Sequence, residues 1–515
     1  MNQLDALYQR VCIEGYLKTQ SDLHIGSGTT EEQVDGSKLN TFLRGDKGQP
    51  YIPASSIKGY LLSKAEKVWE KDETKKLFGF VTDDANTGTG NVNNSGEQRA
   101  AAQLRVSDAM ISVSDSKLIT RYGIAIDPIT GTADADKHAL FRYEIIPIGS
   151  RIACRFEMDA INRSSLEKMI QLLYHWNGDA DSAMGAKIGQ GYGRVKWHQT
   201  SVTGITKEQL KAWLTSNEPL QSFYQELDMA STASIDKHHH SAKLEIILHT
   251  DAPIVIHDPQ QLREPVDKQD HPPKITCSRT LDNKALIPGT SLKGLLRGWC
   301  RKILMTILQA DYQQTLSEAN KIADNFIGDL FGSTKMAGYI QLSDAISTQE
   351  LKLHHRPMIA IDRFSGGVKG GQYLDKKHQQ RDNREEKIEG ALVNIEAAIN
   401  AEYKADLSLN QNRITPQDDS WKGLLLLALR DAMQGDFVIG WGKTRGFGSF
   451  KLKLKINEKI YSDWDELYKE CLTSASTSTL ATAQQLDAQA SLNSLHDKLE
   501  ALIQAQQSTQ STEAI

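Results

Sequence analysis

The stretch IPASSIKG at residues 52–59 returns as IPGTSLKG at residues 287–294, and this repetition constrains the fold more than any other feature of the chain. Other motifs follow in the same order and nearly the same register. Lys58 matches Lys293 at 293 − 58 = 235, the SDA ending at Ala109 matches the SDA ending at Ala345 at 345 − 109 = 236, and the IAID ending at Asp127 matches that ending at Asp362 at 362 − 127 = 235. LFG at Leu77–Gly79 recurs at Leu330–Gly332 after an insertion, and the copies close on the Gly-rich segments MGAKIGQGYGRVKW and IGWGKTRGFGSFKL. A unit of this length is far too long for a solenoid repeat and suits a whole domain. A chain of 515 residues also exceeds what one core usually supports. The expected organisation is a first domain at 1–228, a linker at 229–242, a second domain at 243–458 and a C-terminal tail at 459–515. The linker, DMASTASIDKHHHSAK, is poor in apolar residues, and the boundary is placed near residue 235.

Within each copy the hydrophobic pattern reads as strand, helix, two strands, helix and a final Gly-rich strand. That is the order of a ferredoxin-like, RRM-like α+β sandwich. The first helices begin at SIKGYLLSKAEKVW and SLKGLLRGWCRKILMTIL, where the serines are placed as N-caps; the second are SLEKMIQLLYHW and WKGLLLLALRDAMQ. VTDDANTGTGNVNNSGEQRA, after the first LFG, reads as a mobile loop. The tail is rich in Ser, Thr, Gln and Ala. It carries Leu495, Leu499 and Leu502 at helical spacing, which suits either a disordered extension or a helix docking on a partner or on the second domain.

Composition removes several functional classes. Hydrophobic residues make up 39% and charged residues 24%, no apolar run approaches the ~20 residues needed to span a bilayer, and the N-terminus lacks a basic segment followed by an apolar one, so a cytoplasmic location is expected. Five scattered cysteines, none in a C-x-x-C pair, read as buried thiols rather than disulfides or a zinc site. The net charge of −5 confines any nucleic-acid surface to a local patch. GWGKT at 440–444 resembles a P-loop, but Phe437 stands where its first glycine belongs, and GQGYG misses the dinucleotide spacing by one residue. No Ser-His-Asp, HExxH or Cys/His pattern is present, and His238–His240 falls in the linker.

The repeated turn does carry chemistry. A helix N-terminus offers unpaired amides and a partial positive charge, so the hydroxyls of Ser55, Ser56, Thr290 and Ser291 with the ammonium groups of Lys58 and Lys293 suit an anionic phosphate. The terminal glycines would admit either a neighbouring backbone or a nucleic-acid strand. Loop carboxylates remain: Asp35 in copy one, and in copy two Asp267 by local match or Asp270 by count, since 287 − 270 equals 52 − 35. An aspartate of ordinary acidity is a poor general base at neutral pH, so binding a divalent metal or orienting a 2′-hydroxyl suits it better.

HIGSG, IPxxSxKG, LFG, SDA, IAID followed by TGTA, ALFRYEIIPIG and the closing GxGYGRV together resemble the RAMP superfamily of CRISPR-associated proteins. The nearest likeness is to the family-seven Cas backbone subunits of type III effector complexes. It covers roughly 10–200 and 243–455, and the tandem arrangement is similar to the fused backbone subunit of a variant type III-D complex. The resemblance implies RRM-like domains set along a guide crRNA, with thumb hairpins at about 124–146 and 359–392 displacing one nucleotide each. It implies target-RNA cleavage by a loop aspartate with a divalent metal, Mg2+ or Mn2+. The catalytic position falls on Asp35, also the metal position, and in copy two on Asp267 or Asp270. Guide contact falls on Ser55, Ser56, Lys58, Thr290, Ser291 and Lys293, and on the closing segments at Gly191, Gly193, Arg194, Lys443, Arg445, Gly446 and Gly448. The implied partners are crRNA, target RNA, other backbone subunits, a large polymerase-like subunit and a small subunit, with no membrane. Copy two departs from the pattern in having IVIHDP for HIGSG and GALVNIEAA after its thumb. A non-catalytic crRNA scaffold and a pre-crRNA processing ribonuclease are the alternative functions.

Overall fold

Strands alternating in burial, and helices with one apolar stripe, build the same layered unit twice. A computed structural model of the chain describes residues 8–32, 38–81, 99–111, 118–126, 132, 140–229, 243–258, 275–280, 282–333, 336, 338–350, 353–359, 361, 363–364, 392–409, 420–456, 459–469 and 488–513. Two compact units emerge: residues 1–120, 142–188 and 192–239, and residues 121–141, 189–191 and 240–515.

In the first unit the elements are β1 (Tyr8–Thr19), α1 (Ala54–Val68), α2 (Lys71–Phe78), β2 (Leu104–Val106), β3 (Arg151–Ile161), α3 (Arg163–Leu173) and β4 (Val195–Thr206). Their sheet runs β4–β1–β3–β2, antiparallel throughout. In β3 Ile152, Cys154, Phe156 and Met158 are buried while Arg151, Ala153 and Arg155 are exposed, the two-residue period of a sheet covered on one face. α1 brings Ile57, Leu61 and Ala65 onto that face at intervals of four, and α3 adds Leu166, Met169, Ile170 and Leu173. Each such leucine or phenylalanine stabilises the fold by roughly 1.5–3 kcal/mol. Asn162 caps α3 by accepting from the Ser165 amide. A hairpin of Gly26–Glu32 with Lys38–Phe42 follows β1, its last pair being Glu32 with Lys38.

The second unit repeats the plan with β5 (Lys243–His249), α4 (Gly289–Ala310), α5 (Leu316–Phe331), β6 (Ile340–Leu342), β7 (Glu402–Leu409), α6 (Ser420–Gln434) and β8 (Lys451–Ile456). Its central order, β8–β5–β7–β6, is that of the first unit. Registers correspond too: Leu17 lies between Ile152 and Trp197, and Leu248 lies between Tyr403 and Leu452. Both LFG motifs end a helix, with Gly79 at φ +80° and Gly332 at φ +97°. The expected α+β sandwich in duplicate is what the chain forms.

The insertions fall where expected, although much of each lies outside the described residues. The low-complexity loop covers 82–98, and the strands beside it pair Phe80 with Ala100 and Val81 with Arg99. Most of both thumb segments is likewise undescribed; for the second, Leu353–Ile359 and Leu392–Ala398 pair antiparallel and end with Ile359 opposite Leu392. His238–His240 and the linker residues 230–242 are undescribed. Cys12, Cys154, Cys277 and Cys300 are buried free thiols, and burial pushes them up, to about 11 for Cys12 and Cys277 and about 12 for Cys154. Among the described residues no helix is long and apolar enough to cross a membrane.

The tail provides α7 (Ala488–Glu513), which packs along α6. Leu495 and Leu499 are buried as their spacing predicts, but Ile503 rather than Leu502 is the third fully buried anchor. Gly423 on α6 lets the Ser491 backbone approach closely. Lys498 stands over the Phe326 ring and Tyr312 hydrogen-bonds His496. Leu499→Ala should lower the unfolding free energy of the second unit by about 3 kcal/mol in urea titration. Exposed Gln504→Ala should change it by less than about 0.5 kcal/mol.

Candidate functional site

The two helix starts are built alike, and not as the serines suggested. Pro53 and Pro288 are the N-cap residues, at φ −60° and −59°, and no side-chain cap is made at either. A cap must come from the residue before the first helical one; Ser55, Ser56, Thr290 and Ser291 already lie inside the first turn, and proline offers no side-chain acceptor. The carboxylate comes instead from the SDA motif. Asp108 Oδ1 accepts from the Ala54 amide at 2.7 Å, and Asp344 Oδ1 accepts from the Gly289 amide at 2.7 Å. One turn amide is thereby satisfied by an anion, favourable at the positive end of the helix dipole. The hydroxyls of Ser55 and Ser56 are left on an exposed surface, while Thr290 and Ser291 are half-buried.

The matched lysines differ. Lys58 is half-exposed, whereas Lys293 is 9% exposed and donates from Nζ to the Ile340 carbonyl at 2.9 Å. Burial, with Arg297 nearby, lowers the Lys293 ammonium to about 8. The expected symmetry of phosphate contact is therefore corrected: the cation of copy two is drawn inward to a strand carbonyl.

The closing segments are also corrected in part. Gly185 and Gly193 have φ of +86° and +84°, Gly440 and Gly448 of +85° and +84°. A methyl group on Gly193 would overlap the Met184 carbonyl, and one on Gly448 the Ile439 carbonyl, so the close approach of protein backbone, one of the two roles open to these glycines, is what requires them. The Gly193 amide donates to Asp22 O at 2.8 Å and the Arg194 amide to Ser21 Oγ at 3.0 Å; the Arg194 residue is buried. Gly191 (φ +89°) and Gly446 (φ +81°) serve the same tight turns, with open space around Gly446. Lys443 and Arg445 are exposed in a single helical turn, Arg445 stacking on Trp441, and remain free to meet an anion. A helix of three residues is no nucleotide-binding P-loop.

What the fold brings together in the first unit is a cleft of about 380 Å³ between the α1 start and the closing segment. It is lined by Ile25 and Gly26 of HIGSG, Ser56 and Tyr60 of α1, Ala183 to Ala186, and Ile188. Tyr60 is fixed beneath it, stacked on Trp176 at 4.9 Å and donating to the Asp181 carbonyl at 3.0 Å. Beside it stand two groups that spacing alone did not single out. His24 lies at 2.7 Å from the Glu144 carbonyl through Nδ1, and burial lowers its basicity, so it is neutral at pH 7. Lys187 adopts φ +61°, holds Nζ 3.2 Å over the Tyr143 ring, and is lowered to about 7 by burial. The cleft thus combines the exposed Ser56 hydroxyl with the small residues Gly26, Ala183, Gly185 and Ala186 and the ring of Tyr60.

Asp35, Asp267 and Asp270 lie outside the described residues; Asp35 falls between the paired strands ending at Glu32 and resuming at Lys38. Among the described residues no group of three or more His, Cys, Asp or Glu side chains is arranged to hold a metal.

The RAMP superfamily model matches residues 16–196 and 248–451, one match per unit and most of the chain. The chain belongs to the RAMP superfamily. No curated protein matches it. Membership makes it a CRISPR-associated RNA-binding subunit that works with RNA and other subunits of an effector complex. The two matched regions carry the paired helix starts, so RAMP membership and the duplicated geometry describe the same segments.

Asp108→Ala and Asp344→Ala should each destabilise their unit by about 1 kcal/mol, read by urea unfolding, with Asn at either position restoring most of it. Lys187 binds a proton more weakly in the folded state than in the unfolded one, so its burial penalty is full below pH 7 and fades as pH rises toward the unfolded value. The unfolded state binds more protons over that range, and stability from this group therefore rises with pH. Lys187→Met should flatten the stability–pH curve between pH 7 and 9 relative to the parent protein.

Proposed function

We propose that this RAMP protein is a backbone subunit of a type III CRISPR effector complex, in the tandem form of variant type III-D. It holds a guide crRNA at two successive stations and cuts the paired target RNA through loop aspartates. The observation that carries this is the duplicated helix start, each with its SDA carboxylate, its turn hydroxyls and its lysine in one strand order. In copy one Ser55, Ser56 and Lys58 meet guide phosphates, and the cleft behind Ser56 receives sugar or backbone. In copy two Thr290 and Ser291, with Lys443 and Arg445, do this work, since Lys293 is engaged with Ile340 O.

Cutting is assigned to Asp35 in copy one and to Asp267 or Asp270 in copy two. Mg2+ or Mn2+ commonly takes one or two carboxylates with water and phosphate oxygens, a role that a single loop aspartate can fill. Such an ion supplies charge neutralisation at the scissile phosphate. The chain's own part is to place the carboxylate and hold the strand. A processing nuclease relying on histidine is disfavoured: His24 stands beside the cleft, but the corresponding position in copy two is Val255. The scaffold reading differs from the proposed one only in cleavage.

Asp35→Ala in the assembled complex should abolish one set of target cuts while leaving guide binding unchanged, and chelation of divalent metal should abolish all of them. Retention of every cut site by Asp35→Ala points to the scaffold. Lys58→Ala should weaken guide RNA binding about tenfold in a filter-binding titration, and Lys293→Ala by much less.

A further inference from the structure

The sheet of the first unit has a second face, turned away from α1 and α3, and its charges are divided unevenly. Toward one end every cation has a carboxylate: Arg10 pairs with Asp159, Arg105 with Asp159 and Glu157, and Arg155 with Glu14 and Glu157. At the other end Arg151, Lys18 and Lys196 stand directly opposite one another on three adjacent strands, because Lys18 is registered with both. No carboxylate pairs with any of the three among the described residues. Like charges placed opposite across strands cost stability. One row further in, Tyr16 is registered with His198, the two rings stack at 4.8 Å and 10°, and the Arg151 guanidinium lies 5.0 Å over the Tyr16 ring. Burial, and then Lys196, Lys18 and Arg151, lower the His198 imidazole, so it stacks as a neutral ring at pH 7.

The duplication provides an internal control. By register, Arg151, Lys18 and Lys196 correspond to Glu402, His249 and Lys451, while Tyr16 and His198 correspond to Ile247 and Lys453. Copy two thus has an acid in the row and no aromatic pair. The cation row with its stacked rings belongs to copy one alone, and the common fold does not require it.

We infer that this face is a second binding site for single-stranded nucleic acid, with phosphates on Arg151, Lys18 and Lys196 and a base added to the Tyr16–His198 stack. It lies on the opposite side of the sheet from the α1 cleft. A row of cations alone would accept any polyanion; the stacked rings favour a polymer whose units carry both phosphate and a flat aromatic face. The site is independent of which aspartates cut.

Two measurements on the full-length protein decide this. Irradiating it with oligouridylate bearing 4-thiouridine should crosslink the peptides containing Tyr16 or His198. Crosslinks confined to peptides around Ser56 and Gly185 overturn the inference while sustaining the guide-site reading, and crosslinks confined to Tyr16 and His198 do the reverse. In fluorescence titrations with the same RNA, replacing Lys18, Arg151 and Lys196 together by Gln should reduce the slope of log affinity against log salt by about 2, close to ~0.7 per phosphate contact. Tyr16→Leu should weaken binding about tenfold with the slope unchanged. Because the triple change relieves like-charge repulsion, its melting temperature should equal or exceed the parent's; if it fails to fold, Lys196→Gln alone, with a slope loss of about 0.7, serves instead. An unchanged slope overturns the inference. Displacement of the RNA by oligoglutamate of matched charge overturns it in favour of an acidic protein partner, whereas competition by single-stranded DNA supports it and extends it to either sugar.

Discussion

A single hydrogen bond, donated by the first amide of a helix to a carboxylate, organises each half of this RAMP protein. Asp108 reaches Ala54 across 54 residues and Asp344 reaches Gly289 across 55. The bond ties the segment just after β2 or β6, the outermost strand in each of the orders above, to the start of the first helix. The helix is then laid on the sheet at one place, and the hydroxyls of its first turn face outward at a fixed point. Proline at the cap makes this necessary, since its own side chain cannot accept the amide. Because the bond is made twice from matching positions, the two helix starts share one backbone frame, on which the lysines and hydroxyls are then exposed to different extents.

The closing segments complete each station by sterics rather than by charge. Gly193 and Gly448 pass beneath a carbonyl of their own loop at positive φ, a conformation that other residues adopt only under strain. The segment therefore folds back toward the strand that opens the unit, and in copy one Ala183 to Ala186 meet Ile25 and Gly26 around the cleft beside Ser56. His24 and Lys187, next in sequence to lining residues and both kept weakly basic by burial, are held by the Glu144 carbonyl and the Tyr143 ring respectively. After duplication the halves kept this backbone frame and diverged in charge: Lys58 faces outward where Lys293 turns in, and a cation row in one sheet is a mixed row in the other.

Much of this was legible in the residues. The recurrence of IPxxSxKG, SDA and LFG at nearly constant offset revealed two domains, and two-residue and four-residue apolar periods gave the strands and helices of an RRM-like sandwich. The LFG glycines were in view as a repeated motif, and the structure gave them their role at helix ends; the strands flanking the copy-two thumb pair antiparallel, while most of the thumb itself lies outside the described residues. The tail helix was visible in Leu495 and Leu499. The capping reading failed because a serine at a helix start has two possible roles, and only the position of the proline relative to the first helical residue separates them. The aspartates that do cap were in view as part of SDA, but as a repeated motif without a partner. The terminal glycines were open to two readings, and the structure shows the close backbone approach at Gly193 and Gly448.

The sequence by itself determined the duplication, the order of elements and the family, because these depend on patterns repeated along the chain that need no knowledge of distant contacts. Only the tertiary structure decided which carboxylate reaches which amide, that Lys293 spends its charge on a strand carbonyl, and that Arg151, Lys18 and Lys196 share one row beside Tyr16 and His198. These depend on strand register and on burial, which set residues far apart in the chain within reach of one another and which no local period encodes.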